Sequence, residues 1–340
     1  MSNQMKRVTI KDVAERANVA IGTVSRYLNN NGYVSADAME RIRKAIEELE
    51  FIPSATARSM INKKSAIFGI TVPEINNPFL ADLVVRIESA LSKMNYSIML
   101  CNTQYKSKKV ASFIEDLIMR NAEGLFLVAT DINDQALEKK MSSFLYTVSI
   151  GHKLNNFDCI RLTDYSSAYE LTKHLIELGH KKIAFIGFNE NAHQTMYRVE
   201  GYCAAHKDSG LGLRDEFMLQ SFAGHKDGYH LAKQLLSLDD KPTAMIAVND
   251  FYAMNAYSAI ADSGLAVGKD ISVVGFDDIF MARFLSPALT TVRCDSDAVV
   301  QNAVNMLKVH LREGMQHSPC DVELDSTVIY RQSTSSPVAG

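Results

Sequence analysis

Several polar side chains stand directly after apolar, strand-like runs of the sequence. Thr130 follows GLFLVA, Asn249 follows AMIAV, and Asp277 follows ISVVGF. Open α/β sheets bind ligands just beyond the carboxyl ends of their strands, so these positions are suited to holding a ligand. A hydroxyl, an amide and a carboxylate supply hydrogen bonds, which is the chemistry of a binding site.

The motifs of common enzymes are missing from the chain. It has no G-x-G-x-x-G after a strand, no Walker A loop, no G-x-S-x-G elbow and no H-E-x-x-H pair. Its nine histidines lack the spacing of metal ligands, and its five cysteines are scattered without a C-x-x-C pair. The sequence therefore predicts no enzyme, no cofactor, no bound metal and no disulfide framework.

Apolar runs that alternate with amphipathic stretches predict an α/β fold for the larger part of the chain. Such runs, separated by helices, are typical of parallel sheets covered on both faces. They are too numerous for one sheet of ordinary size, so we expect two α/β lobes. The predicted strands are 67–73, 97–101, 124–129, 146–150, 182–187, 244–248 and 271–276.

The first 50 residues predict three short helices. Thr9 and Asp12 are spaced as a capping box that begins a helix through Ala17. A second helix is predicted over residues 21–28, and Ser35 caps a third in which apolar residues recur at intervals of three and four. Two helices separated by a tight turn and followed by a third are typical of a helix-turn-helix domain.

The charge of the chain is divided between this head and the remainder. Residues 1–64 contain eleven Lys and Arg and seven Asp and Glu, a net charge of +4, whereas the rest carries −7. A basic head on an acidic body indicates a polyanionic partner for the head. The N-terminus has no apolar signal-peptide region, and no apolar run reaches the ~18–20 residues of a membrane helix. We therefore expect a cytoplasmic protein.

Several blocks of the sequence resemble the lactose/galactose repressor (LacI/GalR) family. VTIKDVAERANVAIGTVSRYLNNNGYVS and FIPSATARSM are followed by LIELGHKKIAFIG, RVEGY, AVND, SVVGFDDI and LTTVRCD, in the family's order and spacing. The resemblance covers residues 8 to about 334. It implies a dimeric transcription regulator whose body is similar to a two-lobed periplasmic sugar-binding protein.

The resemblance also implies domain boundaries. A helix-turn-helix domain spans 1–52, a hinge helix and linker 53–65, and an effector-binding and dimerisation domain 66–335. One lobe comprises about 66–163 and 292–323, and the other about 164–291 and 324–335. Residues 336–340 are expected to be a disordered tail. Because the hinge segment is too short to be helical alone, it should become ordered on DNA.

DNA-contacting residues follow from the family register. A helix that enters the major groove contacts base edges with its N-terminal residues, and an arginine there can pair bidentately with guanine. In the family, an apolar hinge residue also enters the minor groove, a position held here by Met60. The expected DNA-contacting residues are Thr9, Ile21, Gly22, Thr23, Ser25, Arg26, Asn29, Ala57 and Met60.

Effector-contacting residues follow in the same way. A sugar requires groups that make paired hydrogen bonds and an apolar or aromatic wall. The resemblance assigns these roles to Arg198, Asn249 and Asp277 in one lobe, and to Phe79 and Thr130 in the other. Family members often carry an acidic or polar residue in place of Gly151 and an arginine in place of His152.

The resulting interpretation is a dimeric repressor of carbohydrate-utilisation genes that binds a pseudo-palindromic operator and a carbohydrate effector. In an alternative, a phosphoprotein co-regulator replaces the sugar, as in the catabolite-control members of the family. An enzyme would leave the basic head unexplained, and a secreted sugar-binding protein would require a signal peptide. The chain lacks the leucine-heptad helix of tetrameric members, which favours a dimer.

Overall fold

A computed structural model describes residues 8–29, 31–51, 65–132, 134–189, 192–221, 227–314 and 317–338. The chain divides into two compact units, residues 1–65 and residues 66–340, which we call the head and the core. Most of the predicted hinge segment, including Ala57 and Met60, lies outside the described residues.

The described part of the head contains the three predicted helices, α1 (Ile10–Arg16), α2 (Ile21–Asn29) and α3 (Ala36–Glu48). Thr9 donates from its backbone nitrogen to the Asp12 carboxylate at 2.7 Å, and the Ser35 hydroxyl accepts from Ala38 N at 3.3 Å. Val13, Val24 and Ile42 are fully buried between the helices. Burial of one such side chain contributes about 1.5–3 kcal/mol, so packing stabilises helices too short to persist alone.

The core alternates strands and helices along its length. Its helices are α4 (Pro78–Ser92), α5 (Ser107–Met119), α6 (Gln135–Phe144), α7 (Asp164–Glu177), α8 (His193–Asp208), α9 (Asp227–Leu236), α10 (Asp250–Ala261) and α11 (Ser296–Glu313). Its strands are β1 (Ile67–Val72), β2 (Ser97–Asn102), β3 (Gly124–Val128), β4 (Tyr146–Gly151), β5 (Asp158–Leu162), β6 (Ile183–Phe188), β7 (Met218–Gln220), β8 (Ala244–Ala247), β9 (Ser272–Val274), β10 (Thr291–Arg293), β11 (Asp321–Leu324) and β12 (Thr327–Ile329).

Within the described residues, ten of these strands form two parallel sheets that define two lobes. The order in the first lobe is β11-β5-β4-β3-β1-β2, and in the second it is β7-β6-β8-β9. Both sheets have apolar strands, and Phe68, Phe126 and Phe185 are among the fully buried residues. The fold is therefore a two-lobed α/β core with parallel sheets, as the alternation of apolar runs predicted.

The chain passes between the lobes at segments that we call the crossings. It leaves β5 for α7 at Thr163, returns through β10 to α11, and leaves β11 for β12 at residues 325–326. Strands β10 and β12 pair with each other antiparallel, with Val292 opposite Val328. The crossings are thus held together, which allows the two lobes to share one cavity.

The C-terminal segment before and within the predicted tail at 336–340 is described through Val338 and contacts the second lobe. His180, which is 1% exposed, contacts Ser335 O through Nε2 at 2.9 Å and Thr243 Oγ1 through Nδ1 at 2.8 Å. The Pro337 ring lies against Gly179, whose φ of +101° places it in the region that favours glycine. These contacts fix the C-terminal segment on the second lobe.

Replacement of His180 gives a stability prediction with a defined pH dependence. Burial lowers the pKa of His180, so the neutral ring stabilises the fold above the unfolded pKa of about 6.5 and that contribution is lost as the pH falls below it. We expect His180→Ala to reduce the free energy of unfolding by roughly 2–3 kcal/mol at about pH 7.5. The penalty should shrink at about pH 5.5.

Urea denaturation followed by circular dichroism measures both values. The exposed His230 provides the control, because His230→Ala should cost little at either pH. A penalty for His180→Ala that grows as the pH falls would contradict a neutral buried ring.

Candidate DNA-reading helix and effector cavity

Helix α2 buries one side and exposes the other. Val24 is fully buried against α1 and α3, whereas Ile21, at 45% exposure, and Gly22 and Arg26 are exposed. Thr23 and Ser25 are half-buried, and Thr9 is exposed at the start of α1. A Cβ at Gly22 would have no heavy atom within 4 Å, so the backbone there is open to a close neighbour.

Arg26 differs from the neighbouring arginines in its electrostatic surroundings. Arg16 pairs with Glu48, Arg41 with Asp37, and Arg43 with Glu40 and Glu47. Within the described residues, Arg26 makes no such ion pair. An arginine exposed on a helix can pair bidentately with a guanine edge. Asn29 ends α2, and the expected minor-groove residues Ala57 and Met60 lie outside the described residues.

A cavity in the core lies at the carboxyl ends of strands from both sheets. Strands β1, β2, β3 and β4 lead into its wall from the first lobe, and β6, β7, β8 and β9 from the second. The described lining residues of the first lobe are Pro73, Asn77, Phe79, Leu80, Tyr105, Ala129, Asp131 and His152. Those of the second lobe are Gly187, Asn189, Ala192, Gln194, Thr195, Arg198, Ser221, Val248, Asn249, Tyr252 and Asp277.

The structure brings four of the five expected effector residues together in this cavity: Phe79, Arg198, Asn249 and Asp277. Thr130 is not among the described lining residues. Its hydroxyl donates to Val128 O at 2.9 Å, and its side chain is buried away from the cavity. After β3 the cavity is instead lined by Ala129 and Asp131, the two residues on either side of Thr130.

Arg198 is a buried cation held by carboxylates. Its Nε donates to Asp164 Oδ1 at 2.7 Å, its Nη1 donates to Val248 O, and its Nη2 lies 3.6 Å from Asp277 Oδ1. The guanidinium carbon also stands 4.4 Å from the centre of the Phe276 ring. Burial opposes the charge, but the two aspartates outweigh it and raise the pKa of Arg198. The ion therefore stays charged and fixed at the cavity wall.

Asp277 is the matching acidic group. Burial raises the pKa of Asp277 to about 7, although Arg198 acts in the opposite direction. Its φ of +103° is a strained backbone conformation for a residue with a side chain, and such strain is common at functional sites. Its backbone nitrogen donates to Val292 O at 2.8 Å, which ties this turn to the β10 crossing.

Asn249 and Tyr252 complete the polar wall of the second lobe. The Asn249 side chain caps α10 by accepting from Tyr252 N at 3.1 Å. The Tyr252 hydroxyl donates to Ser221 Oγ at 2.7 Å, and the Tyr252 ring packs closely over Gly187. A Cβ at residue 187 would lie 2.5 Å from that ring, so glycine is required there.

Sequence reasoning missed several lining residues, notably Asn77, Tyr105, Asp131 and Gln194. Their positions in the sequence could have indicated them, because Asn77, Tyr105 and Asp131 follow strands β1, β2 and β3, where α/β sheets bind ligands. Gln194 lies in the first turn of α8. His152 follows β4 in the same way. Gly151, which precedes it, has a φ of +113°, and a Cβ built at this position would lie 3.4 Å from Gln194 Oε1.

Neither a metal-binding group nor a membrane-spanning helix is found among the described residues. In the described ranges, no group of three or more His, Cys, Asp or Glu side chains is arranged to hold a metal ion. Within the same ranges, no helix has both the length and the apolar character needed to cross a bilayer.

Comparisons with known proteins match both units of the chain. Residues 9–54 match the family described as bacterial regulatory proteins, lacI family. Residues 65–317 match the family described as periplasmic binding proteins and sugar binding domain of LacI family.

Similar proteins extend over almost the whole chain. The HTH-type transcriptional repressor PurR of Haemophilus influenzae (strain PittEE) is 33% identical over 335 residues, which cover 96% of this chain and 99% of the relative. PurR of Pasteurella multocida (strain Pm70) is 31% identical, with coverages of 96% and 99%. The lac repressor dimer bound to operator and the anti-inducer ONPF has a TM-score of 0.82 and 26% identity, covering 97% of this chain and 100% of that chain. The chain therefore belongs to the LacI family and is a DNA-binding transcriptional repressor controlled by an effector, not an enzyme.

Proposed function

We propose that this chain is a homodimeric, cytoplasmic repressor of carbohydrate-utilisation genes and that its effector is a sugar or sugar derivative. The observation that carries the proposal is the buried Arg198 guanidinium between Asp164 and Asp277 at the cavity wall. A cation beside a carboxylate suits two adjacent hydroxyls of one sugar ring. The guanidinium donates a hydrogen bond to one hydroxyl, and the carboxylate accepts a hydrogen bond from the other.

The rest of the cavity supports this assignment. Phe79 contributes an aromatic face against which the C–H face of a sugar can pack, and Tyr252 contributes another. Amide groups of Asn77, Asn189 and Gln194 add both donors and acceptors around the ring. The family that matches residues 65–317 is described by its sugar-binding domain, which favours the same class of effector.

A planar nucleobase is the second candidate. Three aromatic side chains, Phe79, Tyr105 and Tyr252, border the cavity, and a flat ring can stack against such side chains. A nucleobase presents few hydroxyl groups, however, and would leave much of the polar wall without a partner. Because buried polar groups without partners cost free energy, we favour the sugar.

The head is proposed to read an operator through α2. Ile21, Gly22 and Arg26 form its exposed side, and Thr23, Ser25, Asn29 and Thr9 complete the expected DNA-contacting set outside the hinge. Two half-sites of a pseudo-palindrome require two heads, which supports the dimer. A similar protein, the lac repressor, binds operator as a dimer. Ala57 and Met60 are proposed as minor-groove contacts from the hinge.

Replacement of Arg26 tests direct readout. We expect Arg26→Ala to weaken binding to an operator selected from random DNA by about 1–3 kcal/mol, and binding to unrelated DNA much less. Arg43→Ala is the control, because Arg43 is also exposed but is paired with Glu40 and Glu47. Mobility-shift titrations provide both affinities. Equal losses on operator and unrelated DNA would show that Arg26 contacts only phosphate.

Thermal stability in the presence of candidate effectors tests the sugar assignment. A sugar present at 100 times its dissociation constant should add about 2.7 kcal/mol to the free energy of unfolding, or roughly 5 °C or more in Tm. Asp277→Asn should abolish this shift because it removes the negative charge that faces Arg198 and that makes Asp277 a strong acceptor for ligand hydroxyls. Asp239→Asn, at an exposed position, should retain it.

The panel contains D-glucose, D-galactose, D-ribose, cellobiose, hypoxanthine and guanine. A shift given by a nucleobase and by no sugar would replace the carbohydrate assignment with the second candidate. A sugar-induced shift that survives Asp277→Asn would place the ligand elsewhere.

A further inference from the structure

Asp131 and His152 form the end wall of the cavity in the first lobe. Asp131 follows β3 and His152 follows β4, and these strands are neighbours in the sheet, with Val128 opposite Ile150. The pairing brings His152 Nδ1 to 3.4 Å from Asp131 Oδ1. Both residues border the same cavity as Arg198 and Asp277.

The Asp131 carboxylate is also contacted from the second lobe. The backbone nitrogen of His193, which begins α8, donates to Asp131 Oδ2 at 3.1 Å, and His193 Nδ1 lies 3.0 Å from Asp131 Oδ1. The rings of His152 and His193 are stacked, with centroids 5.7 Å apart and planes 11° apart. The orientation of His152 is therefore set by Asp131 on one side and by His193 on the other.

Among the described residues, the other ring nitrogen of His152 has no hydrogen-bond partner. His152 is 5% exposed, and its Nε2 atom is buried without a hydrogen bond in the described part of the chain. A carboxylate beside Nδ1 favours the proton on that nitrogen, which leaves Nε2 as an acceptor. Burial lowers the pKa of His152, which also favours the neutral ring. A buried acceptor without a donor costs free energy that a bound ligand can recover.

The charges around the cavity restrict the ligand further. Among the described lining residues the carboxylates are Asp131 and Asp277, and the cation is Arg198, which is already held by Asp164 and Asp277. A phosphate group here would meet two carboxylates, together with one cation whose charge Asp164 and Asp277 already balance. Anion sites in proteins normally supply arginines, lysines or backbone N–H groups for that purpose.

We propose that His152 determines effector specificity by accepting a hydrogen bond from a hydroxyl or N–H of an uncharged ligand, and that the cavity rejects phosphorylated sugars. The inference rests on the proposed effector function of the same cavity and specifies its ligand class. Asp131 acts through His152 by fixing the ring, and it adds negative charge that repels an anion.

Isothermal titration of the full-length protein with matched sugar pairs tests the proposal. The probes are D-glucose with D-glucose 6-phosphate, D-galactose with D-galactose 6-phosphate, and D-ribose with D-ribose 5-phosphate, together with hypoxanthine. For the pair that binds, we expect the uncharged member to bind at least tenfold more tightly, a difference of about 1.4 kcal/mol.

Two variants of His152 test whether an uncharged hydrogen-bond acceptor at this position sets the preference for an uncharged ligand. His152→Gln keeps an acceptor in the wall, so the preference for the uncharged sugar should persist. His152→Arg supplies a cation, so the ratio of the two affinities should move toward the phosphate by at least tenfold. Asn155→Arg adds the same charge at an exposed position and should leave the ratio unchanged. Melting temperatures of all variants establish that each is folded.

The outcomes distinguish this inference from the proposed function. Wild-type binding of a sugar phosphate at least as tight as that of its uncharged partner would overturn the inference and keep the sugar assignment. Hypoxanthine binding that depends on His152 would overturn the sugar assignment and keep the inference. An unchanged affinity ratio in His152→Arg would exclude His152 as the determinant, and the absence of any binding in the panel would count against both.

Discussion

A buried guanidinium between two buried carboxylates organises the core of this protein. Arg198 projects from α8 of the second lobe, Asp164 stands at the first crossing, and Asp277 is tied to the second crossing through Val292. Removing ions from water is costly unless each finds a partner, so the three residues hold one another in place. A ligand that shares hydrogen bonds with Arg198 and Asp277 must therefore act on the segments that join the lobes.

Two further aspartates, Asp278 and Asp250, form hydrogen bonds with residues in or next to the crossing strands. Asp278, adjacent to Asp277, accepts from Arg293 of β10 at 2.8 Å and from Arg331, just beyond β12, at 2.6 Å. Asp250, beside Asn249, accepts from Ile279 N at 2.9 Å and from the Thr291 hydroxyl. The cavity wall and the crossings are thus one hydrogen-bonded network. Such a network can have two discrete arrangements, which is the physical requirement for an allosteric repressor.

Local chemistry explains which parts could be predicted from the sequence. The head helices were predicted within about a residue because Thr9 and Ser35 mark their starts. Five strands were missed. Asp158 begins β5 and Arg161 interrupts its apolar pattern, and β11 alternates exposed and half-buried residues. Strands β7, β10 and β12 are only three residues long. Thr130 does not line the cavity, because the sequence shows where a strand ends but not the direction in which the following side chains point. The contact of Asp131 with His152 depends on strand pairing, which no local pattern reveals.

Operator and effector are proposed to bind different units, the head and the core, of one thermodynamically coupled molecule. This coupling is tested most directly by a closed cycle: operator affinity with and without the selected sugar, and sugar affinity with and without operator. Linkage requires the same factor in both directions, and allosteric coupling of about 1–3 kcal/mol corresponds to about 5- to 150-fold. We expect equal factors in this range for the wild-type protein. A factor of one in both directions, with both ligands bound, would contradict this coupling.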